Sequence, residues 1–346
     1  MRSKLKIILV ACLAAQAAAS SEIRIAKSCY EWRKVIGDAI ASAINTAKAA
    51  GLALDNPKPD IQELAEHLFG NEASIAAAKV RLNKIGAIIF APPDTVSAER
   101  VLWEDKKEMK KEDIVVFCDL SRFERDANGE VFWDNQNAQW FGRKSYAEWN
   151  SNRENTEAET VSEIDGDNGS LVGASIYVFP WYIKQMQARK NMEGFTAVLN
   201  NDPKAIAMIA EVVKGIGRNW NYYKDKGMAS GHPMARMDIV HAVLDGTMLH
   251  ELSHTWAAGI SEDVDGARSY GWGAAVEMKN PKNADSLSLF AYAVKVVQST
   301  RFEVDIEGDI ADYSTGIFVR KSKLEKRRDD EIDRMIREIL DARWRS

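Results

Sequence analysis

The sequence predicts an α+β protein that is predominantly helical, with a small sheet. Apolar residues recur at helical spacing along most of the chain, whereas only two runs have the β-branched character of buried strands. The apolar fraction of 46% and the charged fraction of 28% are those of a globular protein. The 346 residues contain no internal repeat, and they are enough for one large domain or two ordinary ones. We expect one domain, because no clean linker appears in the sequence.

The first nineteen residues have the pattern of a signal peptide. Three basic residues precede an apolar run at 7–19, and three Ala before Ser20 offer a cleavage site. The apolar run is shorter than the ~20 residues that a membrane-spanning helix needs, which disfavours the alternative of a retained anchor. We therefore expect a secreted, extracellular mature protein that has no membrane segment.

The balance of charge is acidic. The formal net charge of −5 becomes more negative when the basic signal peptide is removed. An acidic surface is repelled by the phosphates of nucleic acids and by anionic membranes, so we expect neither as a partner. We expect the mature protein to be a monomer.

Two cysteines remain once the signal peptide, which contains Cys12, has been removed. We expect Cys29 and Cys118 to form a disulfide in an oxidising compartment, joining the first helix to a later strand. The alternative is a pair of buried free thiols. Neither residue lies in a CxxC pair, so a cysteine-based zinc site is not expected.

Residues 20–170 are predicted to form an N-terminal, mainly helical part of the domain. Each predicted helix has apolar residues at helical spacing, and a run of β-branched residues predicts one strand. The final segment is polar and acidic and contains two Gly, which predicts a long surface loop. The predicted elements are helices at 28–50, 60–69 and 71–85, a strand at 113–120 and the loop at 150–170.

Residues 171–346 are predicted to form the core of the fold. The longest apolar helix of this part is expected at 238–258, and an acidic, Gly-rich turn follows it at 259–273. The other predicted elements are a strand at 174–182 and helices at 203–216, 284–299 and 324–343.

The segment His250-Glu251-Leu252-Ser253-His254 is typical of a zinc site on a helix. Two His four residues apart project from one helix face, so both imidazoles can bind one metal ion. Glu251, next to the first ligand, can take a proton from a water at the metal. The chain contains only five His, which makes a chance match improbable. The alternatives are His that bind nothing, or a zinc site without catalysis.

A catalytic zinc site requires a third protein ligand. No His follows His254, so we expect a carboxylate. Asp263 and Asp265 lie in the turn that follows the helix, and Asp285 and Glu277 lie on or near the next helix. We rank them in the order Asp263, Asp265, Asp285 and Glu277.

Three segments together resemble the aspzincin family, the deuterolysin and lysine-specific metallo-endopeptidase group of secreted fungal proteins. They are LHELSHTW (249–256), EDVDGARSYGW (262–272) and NADSLSLFAYAV (283–294). The second is similar to the family's Gly-Thr-x-x-Asp-x-x-Tyr-Gly segment, although seven positions separate Asp263 from Tyr270 rather than three. The resemblance covers roughly residues 245–300, and it extends more weakly to FCDLSRF (117–123) and VFPWY (178–182).

The resemblance implies a zincin-like catalytic domain with one catalytic Zn²⁺. Its ligands would be His250, His254 and Asp263, with Glu251 as the general base. Tyr270 matches the Tyr that the family places near the reacting carbonyl, where its hydroxyl could hydrogen-bond the oxyanion. Tyr182 matches a second active-site Tyr. Asp285 could approach the metal, orient a ligand, or make the substrate pocket acidic, and the last role favours Lys or Arg at P1′.

The expected function is therefore that of a zinc metalloendopeptidase acting on a protein or peptide substrate. Three alternatives remain open. One is a gluzincin-like hydrolase with Glu277 as the third ligand, and another is a zinc amidase. The third is a secreted binding protein or effector that keeps zinc on the same scaffold without proteolysis.

Overall fold

A computed structural model provides the fold. It describes residues 21–90, 102–103, 111–119, 123–125, 131–134, 139–142, 158–162, 173–180, 182–184, 231–232, 235–241, 243–298, 302–304 and 310–312. The predicted signal peptide and the predicted helices at 203–216 and 324–343 lie outside the described residues. Within them the fold is α+β and mostly helical, with a small mixed sheet, as the sequence predicts.

Seven α-helices occur in the described residues. They are α1 (Arg33–Ala53), α2 (Pro59–Phe69), α3 (Glu72–Gly86), α4 (Arg236–His241), α5 (Leu244–Ser253), α6 (Trp272–Met278) and α7 (Ala284–Gln298). The positions of α2, α3 and α7 confirm the predicted helices. The helix predicted at 28–50 begins instead as a 3-10 helix, Lys27–Trp32, and α1 continues to Ala53, beyond the predicted end at residue 50.

The single helix predicted at 238–258 is wrong, because α4 and α5 are separate helices. Gly246 lies so close to the carbonyl oxygen of His241 that a Cβ atom would overlap it, and this contact fixes the junction. At the other end, the hydroxyl of Thr255 donates to the carbonyl of Leu252. This bond competes with the next helical hydrogen bond, so the chain turns into a 3-10 helix at Trp256–Ala258.

The main sheet has five strands among the described residues. They are β1 (Ile23–Ala26), β2 (Leu102–Trp103), β3 (Ile114–Phe117), β7 (Ala158–Val161) and β8 (Ala174–Val178). Their order across the sheet is β2-β1-β3-β8-β7. The first four in the sheet order are parallel, and β7 runs antiparallel to β8. Every residue of β3 and β8 is buried, which explains their continuous apolar sequences.

Strand β7 lies inside the segment that the sequence predicts as a surface loop at 150–170. Its pattern is mixed: Ala158 and Val161 are buried, whereas Glu159 and Thr160 between them are half-buried. Such a short strand, with polar residues in its middle, gives no period-two signal, so composition alone predicted a loop. The described residues also form two smaller antiparallel sheets. These contain β4 (Phe123–Arg125), β5 (Val131–Asp134) and β6 (Gln139–Gly142), and β9 (Phe302–Val304) with β10 (Ile310–Asp312).

A disulfide joins Cys29 to Cys118, which confirms the expected pairing. It links the 3-10 helix at Lys27–Trp32 to the residue that follows β3. Next to it, the backbone N–H of Cys118 donates to the hydroxyl of Ser28, at 3.1 Å. Both cysteines are fully buried. Their disulfide joins the segment after β1 to the segment after β3, at one end of the main sheet.

Contacts within the chain define two compact units. The first contains the five-stranded sheet and residues 247–261. The second contains α7 with α2, α4 and α6 packed around it, and every residue of α7 from 284 to 296 is buried. Phe69 of α2 meets Phe290 of α7 edge to face, with ring centroids 5.1 Å apart. No helix in the described part of the chain is long and apolar enough to cross a bilayer.

Candidate metal centre

Two His side chains, at the end of α5 and just beyond it, approach each other closely. The Nε2 atoms of His250 and His254 lie 3.1 Å apart, one helical turn along the same face. Asp263 lies beyond the turn that follows. Each of the three residues offers one ligand atom, and these atoms all lie within 4.8 Å of one another. We call His250, His254 and Asp263 the metal group, because together they could hold a metal ion.

The orientation of the second imidazole is set by a backbone carbonyl. Nδ1 of His254 lies 2.9 Å from the carbonyl oxygen of Ser261. Because a carbonyl oxygen only accepts, Nδ1 carries the proton, and Nε2 of the neutral ring keeps its lone pair. This lone pair faces His250. Ligating His residues are commonly held in this way by a hydrogen bond at the second ring nitrogen.

A tight turn brings the Ser261 carbonyl to His254. Gly259 and Ile260 both have positive φ angles, of 91° and 53°. The N–H of Ile260 donates to the carbonyl of Thr255, and the N–H of Ser261 donates to the carbonyl of Ser253. A left-handed conformation is unfavourable for a β-branched residue such as Ile. The surrounding hydrogen bonds hold Ile260 in this conformation, next to the metal group.

The chemistry of the donor set fits a divalent transition-metal ion. Two imidazoles and one carboxylate are ligands that zinc accepts, whereas calcium and magnesium prefer oxygen ligands. The two Nε2 atoms, 3.1 Å apart, are close enough for both to bind one cation. Among the described residues the group has three members, the number of protein ligands in catalytic zinc sites, whereas structural sites have four.

Glu251 is held by a residue of the main sheet. The hydroxyl of Thr160, on β7, lies 2.6 Å from Oε2 of Glu251 and 3.0 Å from its backbone carbonyl oxygen. The side chain of Glu251 is buried, so its carboxylate needs such a donor. A distance of 2.6 Å is typical of a charge-assisted hydrogen bond between a hydroxyl and a carboxylate.

Tyr270 contacts the carboxylate of the metal group. Its hydroxyl donates to Oδ2 of Asp263, at 2.8 Å. The resemblance to the aspzincins implies that Tyr270 lies near the reacting carbonyl, whereas its hydroxyl here contacts Asp263. A hydrogen bond of this kind orients a ligating carboxylate.

Tyr182 is fully buried, and its hydroxyl lies 2.8 Å from the hydroxyl of Thr247. Thr247 is on α5, three residues before His250, so the bond ties Tyr182 to the helix that carries the metal group. In this position Tyr182 holds the helix, and its hydroxyl is engaged with another side chain.

Asp285, the predicted pocket residue, is also buried. Its Oδ2 accepts a hydrogen bond from the N–H of Gly271, immediately before α6. A second buried carboxylate acts beside it, because Oδ1 of Asp238 accepts from the N–H of Trp272 and Oδ2 accepts from the N–H of Ala235. The two carboxylates together anchor the start of α6.

Burial raises the pKa of Asp238 to about 7. The two backbone N–H donors oppose this rise, and the charge of Asp285 adds to it. No motif in the sequence indicates this role of Asp238, which lies in the short helix α4.

The remaining candidate carboxylates lie on the surface. Asp265 is exposed, and the side chain of Glu277 is 76% exposed and lies 2.9 Å from Nε2 of His232. The metal group contains neither of them.

Thr160 contacts Glu251, and Ser261 contacts His254. The sequence did not predict either contact. Thr160 lies 91 positions before Glu251, in a segment predicted to be a loop. Ser261 acts through its backbone carbonyl, which any residue type could supply. No motif in the sequence indicates either contact.

A scan against protein-family models, a search of curated proteins and a search of solved structures each find no match to this chain.

Proposed function

We propose that this protein is a secreted zinc metalloendopeptidase of the aspzincin type, with a zincin-like catalytic domain. One observation carries the proposal: His250, His254 and Asp263 offer ligand atoms within 4.8 Å of one another. The two His flank Glu251 in the spacing that zinc peptidases use. The predicted signal peptide supports export.

The residues of the chain have distinct roles in the proposed reaction. His250, His254 and Asp263 would hold the zinc ion, which when bound would supply a Lewis acid for the scissile carbonyl. Glu251 would take a proton from the attacking water and deliver it to the leaving amine. Ser261 and Tyr270 orient two of the ligands, as their hydrogen bonds suggest.

The position of β7 favours a peptide over other amide substrates. Among the described strands, β7 is the last in the sheet order and pairs only with β8. Its Thr160 contacts Glu251, so this edge of the sheet passes beside the proposed general base. An extended peptide can add to such an edge by backbone hydrogen bonds. The scissile bond of the peptide would then lie near Glu251.

The preference for Lys or Arg at P1′ remains a prediction from the resemblance. Asp285 is 4% exposed and accepts from Gly271, so a basic substrate side chain would need another acidic group or a rearranged Asp285. Mapping the cut sites in an unstructured protein tests this preference directly.

Metal analysis combined with a peptidase assay tests the proposal. The purified protein is expected to contain one zinc ion per chain and to cleave an unstructured protein such as casein. Glu251→Gln is expected to keep the zinc and to lose turnover, because the amide cannot accept the proton. His250→Ala is expected to lose both.

Two outcomes would count against the proposal. Bound zinc without cleavage by the wild type would favour the binding-protein alternative. A Glu251→Gln variant as active as the wild type would remove Glu251 from the reaction.

A further inference from the structure

Thr160 contacts the side chain that the proposed reaction depends on most. We propose that Thr160 is a positioning residue for Glu251, which holds the carboxylate so that its other oxygen faces the attacking water. This inference rests on the proposed function. Thr160 lies on β7, outside the segment 250–254, so this edge strand would contribute to catalysis through Thr160.

A Glu side chain that nothing holds is mobile. Three side-chain torsions must be fixed before the carboxylate of Glu251 can accept a proton in one direction. The hydrogen bond from Thr160 to Oε2, at 2.6 Å, fixes the far end of that side chain. The proposal assigns Oε1 to the water, because Oε2 already has a donor.

The side chain of Thr160 is itself stiff. A β-branched side chain on a strand has few allowed χ1 rotamers, so its hydroxyl keeps a constant direction. Thr160 is directly opposite Ile176 in β8, and Ile176 is fully buried. Strand β8 is in turn paired with β3 on its other side. The hydroxyl of Thr160 is therefore held by a rigid part of the sheet, as a preorganised site requires.

A second hydrogen bond links the same two stretches of chain, residues 158–162 and 250–256. The indole Nε1 of Trp256 donates to the carbonyl of Ser162, at 2.8 Å. Thr160 and Ser162 are two residues apart, and their partners Glu251 and Trp256 lie on consecutive turns of the chain. Residues 158–162 are thus fastened to the segment of the zinc motif at two points, which keeps the hydroxyl of Thr160 in register with Glu251.

The central test compares Thr160→Val with Thr160→Ser. Val has nearly the shape of Thr but no hydroxyl, so kcat should fall by about 10- to 100-fold, the usual effect of losing a residue that orients an active-site group. Zinc content and KM should stay close to those of the wild type. Ser restores the hydroxyl and should recover most of kcat.

Thr46→Val is the matched control. Thr46 is fully buried in α1, and its hydroxyl has no hydrogen-bond partner in the described part of the chain. The same substitution there should leave kcat unchanged. A Thr160→Val variant with wild-type kcat, or a Thr160→Ser variant as slow as Thr160→Val, would overturn the positioning role.

A second measurement needs no activity. Thermal unfolding of the metal-free protein is compared for Thr160→Val, Glu251→Ala and the double variant. If the two side chains are bonded, the shift in Tm of the double variant is smaller than the sum of the single shifts. Additive shifts would mean that Thr160 does not hold Glu251. If the wild type cleaves no peptide, the proposed function fails, but the comparison of single and double variants still tests whether Thr160 contacts Glu251.

Discussion

The hydroxyl of Tyr270 donates a hydrogen bond of 2.8 Å to Oδ2 of Asp263, the carboxylate of the metal group. The phenol therefore contacts the group that could hold a metal ion through the carboxylate of Asp263. A role in orienting Asp263 differs from the oxyanion role that the resemblance implies, because the two roles affect different measurable quantities.

Tyr270→Phe is expected to weaken zinc binding. Without the hydroxyl, Asp263 is less well oriented, and the zinc Kd should rise by about 10- to 100-fold. Competition with a chelator of known affinity measures this change. At saturating zinc, kcat should be largely retained. The opposite result, an unchanged Kd with a large loss of kcat, would assign Tyr270 to the oxyanion.

Local patterns predicted much of the fold and of the candidate site. Helices α2, α3 and α7 have clear apolar periodicity, and the structure has each of them within a residue or two of the predicted ends. The spacing of His250 and His254 is a property of one helix face, so it is visible in the sequence. The ranking of Asp263 first among the carboxylates agrees with the group that the structure brings together.

What the sequence did not predict depends on contacts between distant or irregular segments. The Thr160–Glu251 bond joins residues 91 positions apart, and no local pattern encodes it. The break between α4 and α5 arises from one close approach of Gly246 to a carbonyl, inside a continuous apolar pattern. Asp285 was predicted to face a pocket, but an acidic residue near a helix start can equally bind a buried N–H, as it does here.

Gly246→Ala is expected to destabilise the protein severely. The added Cβ would overlap the backbone oxygen of His241, so the junction between α4 and α5 must move. We expect a loss of about 3 kcal/mol in the free energy of unfolding, measured by denaturant titration. Gly266→Ala is the control, because Gly266 has a φ of 53° but no atom within 4 Å of an added Cβ. Its cost should be only the ~1 kcal/mol of a left-handed residue. Equal losses would mean that the close approach at Gly246 is absent.

The raised pKa of Asp238 predicts a dependence of stability on pH. Burial raises this pKa from 3.8 to about 7 in the folded state. Between these values the folded protein keeps the proton while the unfolded chain releases it, so stability falls as the pH rises from about 4 to about 7. Above pH 7 both states are ionised and the loss levels off. The total contribution is at most about 4 kcal/mol.

Asp238→Asn should remove this titration. An amide accepts one of the two N–H donors but opposes the other, so the variant should be less stable than the wild type at pH 5. The difference should narrow toward pH 8, because the wild type then bears a buried charge. Unfolding free energies of both metal-free proteins across this range check the prediction. Parallel curves would show that Asp238 does not titrate there.

The buried pair of Lys295 and Asp245 provides the last prediction. Nζ of Lys295 lies 3.6 Å from Oδ2 of Asp245, and the two side chains are 1% and 9% exposed. Burial lowers the pKa of Lys295, and the charge of Asp245 opposes this shift. Lys295→Met would leave the carboxylate of Asp245 buried without its cation, which should cost about 3 to 5 kcal/mol. Adding Asp245→Asn removes that charge, so the double variant should lose less than the sum of the single losses.

The exposed pair of Lys34 and Asp38 is the matched control for this experiment. Its atoms are closer, at 2.7 Å, but the side chains are 72% and 55% exposed. Lys34→Met should therefore cost less than about 1 kcal/mol, because water solvates the remaining carboxylate. The two Met variants distinguish the effect of interatomic distance from the effect of burial. If burial sets the strength of the ion pair, the buried pair gives the larger loss of unfolding free energy, although its atoms are farther apart. Equal losses in unfolding free energy would mean that water reaches Asp245 in the folded protein.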